Sequence, residues 1–156
     1  MNAHDPGPPG GPRPAAVPGP AAARLGYAGL LPFVAGALLV WLVRADAHPY
    51  VSLALSAYAA VIVSFLGGIH WGLAMARAGG PPTVLLAWGV VPSLVAWLAV
   101  LMPPGSGLVI QGVMLVATYA VDRRLYPAQG AAPWLLLRFR LSAVAALACF
   151  IGAAGA

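Results

Sequence analysis

Lysine and glutamate are absent from these 156 residues, and only 7% of them are charged. Soluble domains carry roughly a quarter charged residues. With 62% hydrophobic residues and a mean hydropathy of +0.90, a chain of this size cannot hide its apolar surface from water. Cysteine is nearly missing too: Cys149 stands alone, which excludes a disulfide framework and a thiolate zinc site. The acids are only Asp5, Asp46 and Asp122, so no second intramembrane carboxylate can form a dyad with Asp122. No Gly-x-Ser-x-Gly, His-Glu-x-x-His, P-loop or dinucleotide fingerprint occurs. The sequence therefore predicts no enzyme, no cofactor and no metal.

What is present is arginine, proline, glycine and long apolar runs. The net charge of +5 comes from eight arginines. They are dispersed at segment ends instead of lining one face with interleaved aromatics, so they read as membrane orientation signals and not as a nucleic-acid surface. The first 23 residues hold Pro6, Pro8, Pro9, Pro12, Pro14, Pro18 and Pro20 among Gly and Ala, a composition that predicts a disordered tail with polyproline II character.

Beyond the tail, five apolar segments are expected over about 25–43, 50–76, 83–102, 107–126 and 134–155. Each is long enough, at 1.5 Å per residue, to cross a hydrocarbon core of about 30 Å. Gly79-Gly80-Pro81-Pro82, Pro103-Pro104-Gly105 and the stretch from Pro127 to Pro133 separate them. The expected fold is all-α, a bundle of five transmembrane helices. With five spans, Arg13, Arg24, Arg77, Arg123, Arg124, Arg138 and Arg140 collect on one side and Arg44 stands alone on the other. The positive-inside bias then predicts a cytoplasmic amino terminus and an external carboxyl terminus.

Helical projection sorts the few polar groups by face. In the second segment Ser52, Ser56, Ala59, Val63, Gly67, His70 and Ala74 share a narrow stripe. Small residues allow close helix approach, so this stripe should face protein, and the bulky one of Leu55, Tyr58, Ile62, Phe65, Ile69 and Leu73 should face lipid. Gln111, Thr118 and Asp122 share a face of segment four, and Arg138, Ser142, Ala145 and Cys149 share one of segment five. Arg140 points nearly opposite Arg138 and should snorkel to headgroups.

Threading brings His70, Asp122 and Arg138 to one depth near the cytoplasmic face. Two readings follow for them: a polar clasp that fixes helix packing, or a proton- or anion-handling pocket with His70 as the titrating group. Gly67-Gly68, Trp71 and Ser93 are supporting candidates. The paired glycines read as close helix approach or a local opening, and Ser93 as a hydroxyl able to back-bond beside Pro92. Pro32 and Pro92 can each kink their helices. Trp41, Trp71 and Trp134 suit an interfacial belt, and Trp88 and Trp97 suit deeper packing.

Leu25-Gly26-Tyr27-Ala28-Gly29-Leu30-Leu31-Pro32-Phe33, Ser64-Phe65-Leu66-Gly67-Gly68-Ile69-His70-Trp71-Gly72, Pro92-Ser93-Leu94-Val95-Ala96-Trp97, Asp122 and Leu137-Arg138-Phe139-Arg140-Leu141-Ser142 follow one another like the blocks of a known family. The chain resembles domain-of-unknown-function family thirty-four twenty-nine, uncharacterised bacterial integral membrane proteins with a mitochondrial transmembrane relative in animals. The Phe-Leu-Gly-Gly-Ile-His-Trp-Gly block is the most specific part, and Leu135 stands where a tyrosine is expected. The resemblance implies a multi-pass protein of the bacterial inner membrane, with no activity attached. The expected role is a scaffold or assembly partner in the lipid bilayer, bound to another membrane protein or to itself. The alternative is a small transporter or proton-coupled carrier built on His70, Asp122 and Arg138.

Overall fold

The computed structural model describes residues 17–76 and 83–156. The tail up to residue 16, Arg77 and the Gly79-Gly80-Pro81-Pro82 breaker lie outside them. Among the described residues the chain is helical without strands: α1 (Pro20–Ala28), α2 (Leu31–Leu42), α3 (His48–Met75), α4 (Thr83–Val100), α5 (Pro104–Leu125) and α6 (Leu135–Gly155). Five stretches are long and apolar enough to cross a membrane, namely Pro20–Leu42, His48–Met75, Thr83–Val100, Pro104–Leu125 and Ala132–Gly155.

The first span begins and runs differently from expectation. Its helix starts at Pro20 instead of Leu25, because a proline in the first turn has no amide to waste and its fixed φ suits a helix start. It then breaks at Gly29-Leu30, one turn ahead of Pro32. A proline ring clashes with the carbonyl four residues before it, which here belongs to Ala28, the last residue of α1. Pro32 thus splits the span into two helices. Pro92, in contrast, sits inside an unbroken α4 and is buried, with its ring close to Gly67.

Prolines in the first turn also open α2, α3 and α5. Between α5 and α6 the chain makes two single 3-10 turns around Gly130, whose φ of +70° is a left-handed conformation that favours glycine.

Helix α3 is the centre of the bundle, packed against α2, α4, α5 and α6. All seven residues of its Ser52 to Ala74 stripe are buried. The bulky stripe departs from expectation. Leu55 is buried at 2% exposure instead of facing lipid, since Gly36 of α2 and Gly152 of α6 leave a socket for its side chain. Tyr58, Ile62, Ile69 and Leu73 are half-buried, and only Phe65 of the six is exposed. The cause is that α2 and α6 cover this flank, and a glycine opposite accepts a leucine as readily as a small neighbour would. Tyr58 adds an edge contact to Phe33 and donates its hydroxyl to the Gly29 carbonyl at 2.8 Å, occupying an acceptor at the α1–α2 break.

At the end away from the arginine-rich side, His48 Nε2 donates to the Gly155 carbonyl at 2.7 Å and Trp41 Nε1 to the Ile151 carbonyl at 3.1 Å. These bonds dock the last turn of α6 onto the starts and ends of its neighbours. Large apolar side chains such as Leu38, Val61, Leu94, Trp97 and Leu147 remain outward, as a lipid solvent requires.

Candidate functional site: a buried histidine, aspartate and arginine

His70 lies five residues before the end of α3, Asp122 three before the end of α5, and Arg138 three after the start of α6. Alternating helix direction puts these positions at one depth. The side chains meet there. His70 Nε2–H donates to Asp122 Oδ1 at 2.9 Å, while Arg138 donates from Nε at 2.8 Å and from Nη2 to Asp122 Oδ2. Arg138 Nη1 reaches Ser142 Oγ, one turn along α6, only at 3.4 Å.

Asp122 is 0% exposed, so an unpaired carboxylate here would be prohibitive; three donors hold it instead. With His70 neutral the cluster carries no net charge. His70 Nδ1 is buried with no hydrogen-bond partner, so the ring keeps one nitrogen in reserve. Arg140 is exposed, as are Arg123 and Arg124, in agreement with the opposite faces inferred for the α6 arginines.

Sequence reasoning missed Tyr126, which lies one turn beyond Asp122 at the same i, i+4 spacing that marks a shared helix face. It is buried, and its ring tilts toward His70 with centroids 6.1 Å apart. Placed just past α5, its phenol is pushed up to about 12, first by burial and then by the Asp122 charge, with Arg138 opposing.

The supporting residues divide. Gly67 is buried where a Cβ would collide with the Gly89 carbonyl, so it is a point of close α3–α4 approach. Gly68 is exposed, with nothing within 4 Å of an added Cβ, and takes no part in that contact. The difference follows from a rotation of about 100° between neighbours on a helix. Trp71 spans to α4, donating Nε1–H to the Leu86 carbonyl at 3.1 Å. Ser93 is half-buried, and no hydrogen bond joins it to the cluster or to a freed carbonyl. Thr118 back-bonds to Leu115 of its own helix at 2.9 Å. Gln111, 0% exposed, finds no protein partner for either amide atom, and Ser52 Oγ and Trp88 Nε1 are likewise buried without one.

Among the described residues no three of His, Cys, Asp and Glu converge as metal ligands. An all-helical bundle with five spans and an internal ion-paired cluster defines a polytopic integral membrane protein. Its family follows from comparison: a model described as "Protein of unknown function (DUF3429)" matches residues 18–154, and the chain belongs to that family. It is also similar to Transmembrane protein 69 of Xenopus tropicalis, 40% identical over 109 residues that make up 66% of this chain and 42% of that protein. The match thus spans less than half of that relative's length. No solved structure matches the chain significantly.

Proposed function

We propose that this protein is a non-enzymatic assembly partner, a small scaffold that presents helical surface to another membrane-embedded chain, and that it resides in the bacterial inner membrane. The supporting observation is the outward face of α3. Ala54, Ala57, Val61, Gly68, Gly72 and Met75 recur there at helical spacing and are all exposed. At Gly68 and Gly72, one turn apart, an added Cβ would meet nothing. Small residues four apart let two helix backbones approach closely within lipid. Within one copy these glycines contribute no packing, and each weakens the helix by roughly 0.5–1 kcal/mol relative to alanine. A second helix seated on them would offset that cost.

The experiment purifies the full chain in a mild detergent beside a Gly68→Ile, Gly72→Ile variant and identifies bound protein by mass spectrometry. The wild type should retain a stoichiometric membrane partner, either another protein or a second copy. The variant should lose it at an unchanged unfolding midpoint. A wild type that purifies alone, or a variant that keeps its partner, defeats the proposal.

A second reading, a proton-coupled carrier, has one observation in its favour: the buried, unpartnered Nδ1 of His70 beside an ion pair. It requires pH-dependent solute flux in vesicles that His70→Ala abolishes, and a flux indifferent to that substitution removes it.

A further inference from the structure

Three adjoining cavities, of about 170, 330 and 280 Å³, lie along α3 and α6, the first two of them beneath α1, and Arg138 lines every one. The first runs from Gly26 past Leu66 and Leu115 to Phe33 and Ala145. Its lining is apolar except for Arg138 and Ser142. From Arg138 to Ala145 is seven residues, about 10 Å along the α6 axis at 1.5 Å per residue. The crevice is therefore long, oily and charged at one end. Its roof is α1, a helix with no buried residue, set off from α2 by the Gly29-Leu30 break.

We propose that this crevice holds one acyl chain of an anionic phospholipid from the surrounding bilayer, with the phosphate at Arg138. A guanidinium has five N–H donors. Asp122 takes those of Nε and one of Nη2, and the 3.4 Å approach of Nη1 to Ser142 Oγ is a weak bond. The Tyr126 hydroxyl engages a further one, which leaves one donor, and the weakly held Nη1 bond, for a ligand beside an apolar cavity.

Charge decides the headgroup. Arg24, Arg123, Arg124 and Arg140 are exposed at the same end of the bundle as Arg138, and the acid there, Asp122, is already engaged. Position agrees as well, because Arg138 lies one turn inside the start of α6, at the arginine-rich end of its span. The proposal is independent of the assembly reading, since Gly68 and Gly72 do not line the crevice.

The test places the full chain in nanodiscs of equal phosphatidylglycerol and phosphatidylethanolamine, then reads bound lipid by native mass spectrometry and stability by thermal unfolding. The wild type should carry one phosphatidylglycerol, preferred about tenfold, the ratio that a single charge-assisted hydrogen bond of about 1.4 kcal/mol supplies. Leu141→Trp, which fills the space shared by the two crevice segments beneath α1 without touching the clasp, should lose the lipid at an unchanged midpoint. Asp122→Asn combined with Arg138→Gln keeps donors and acceptors but removes both charges, and should bring the preference to parity. Equal retention of the two lipids by the wild type overturns the proposal. So does a phosphatidylglycerol adduct undiminished in both variants, or a neutral isoprenoid carried through purification in place of phospholipid. If Leu141→Trp does not fold, the charge-neutral pair alone decides.

Discussion

Replacing Arg138 by methionine should destabilise this protein more than any substitution of an exposed arginine. The guanidinium supplies two of the three hydrogen bonds to Asp122, whose side chain is 1% exposed, as is that of His70. Removing one member of a buried ion pair leaves the other uncompensated and costs about 3–5 kcal/mol. At roughly 2–4 °C per kcal/mol for a chain of this length, the unfolding midpoint should fall by about 10 °C. Circular dichroism melting in a mild detergent reads this, with Arg140→Met as the exposed control. The decisive variant is the pair Asp122→Leu with Arg138→Met. Exchanging a whole buried ion pair for apolar groups is close to neutral, and His70 Nε2 is then the chief group left bare, at about 1–3 kcal/mol, since the Ser142 contact is weak. The pair should therefore recover much of what Arg138→Met loses. If Arg138→Met melts like Arg140→Met, or the pair loses the sum of the two single changes, the clasp is not an energetic unit and the reasoning is wrong.

A Cβ on Gly67 meets the Gly89 backbone oxygen, whereas one on Gly68 meets nothing, so Gly67→Ala should destabilise by about 1–3 kcal/mol and Gly68→Ala by none, as paired melts would read. Gln111→Leu should raise the midpoint, because leucine removes two buried amide atoms without protein partners; a fall would mean that Gln111 does find a partner in the membrane. For Tyr126, raised from 10.0 to about 12, the folded state holds its proton more tightly than the unfolded one. Its contribution is complete below pH 10 and is lost as pH climbs toward 12, so Tyr126→Phe should flatten that alkaline limb in a pH series of melts.

The spans were legible because length and hydropathy alone decide whether a helix can cross a bilayer. The cluster was legible because charges inside a membrane are few, and face plus depth left His70, Asp122 and Arg138 one arrangement in which the carboxylate is compensated. Other features depended on the partner surface, which no single helix encodes. Leu55 is inward because Gly36 and Gly152 make room for it. The first span breaks at Gly29 because the effect of Pro32 acts one turn upstream. Pro92 does not break α4, where its ring instead packs near Gly67. Ser93, next to it, had a plausible chemistry but makes no hydrogen bond to a freed carbonyl. Tyr126 was hidden by its position at a segment boundary, although its spacing from Asp122 was the available signal.

Adjacent glycines in α3 carry the sharpest consequence of this packing. Gly67 faces inward and allows α4 to approach at Gly89, which sets α3 in place one turn before His70. Gly68 faces outward, as Gly72 does, and a Cβ added at either would meet nothing within 4 Å. The same helix then joins Asp122 through His70 Nε2 and reaches α4 through the Trp71 indole. A partner seated on Gly68 and Gly72 would press on a helix whose opposite side is locked by close contact and by hydrogen bonds to α5 and α4. On the proposed assembly role the clasp is then needed for partner binding as well as for folding: variants that weaken the Asp122 contacts should lose the partner even with Gly68 and Gly72 intact.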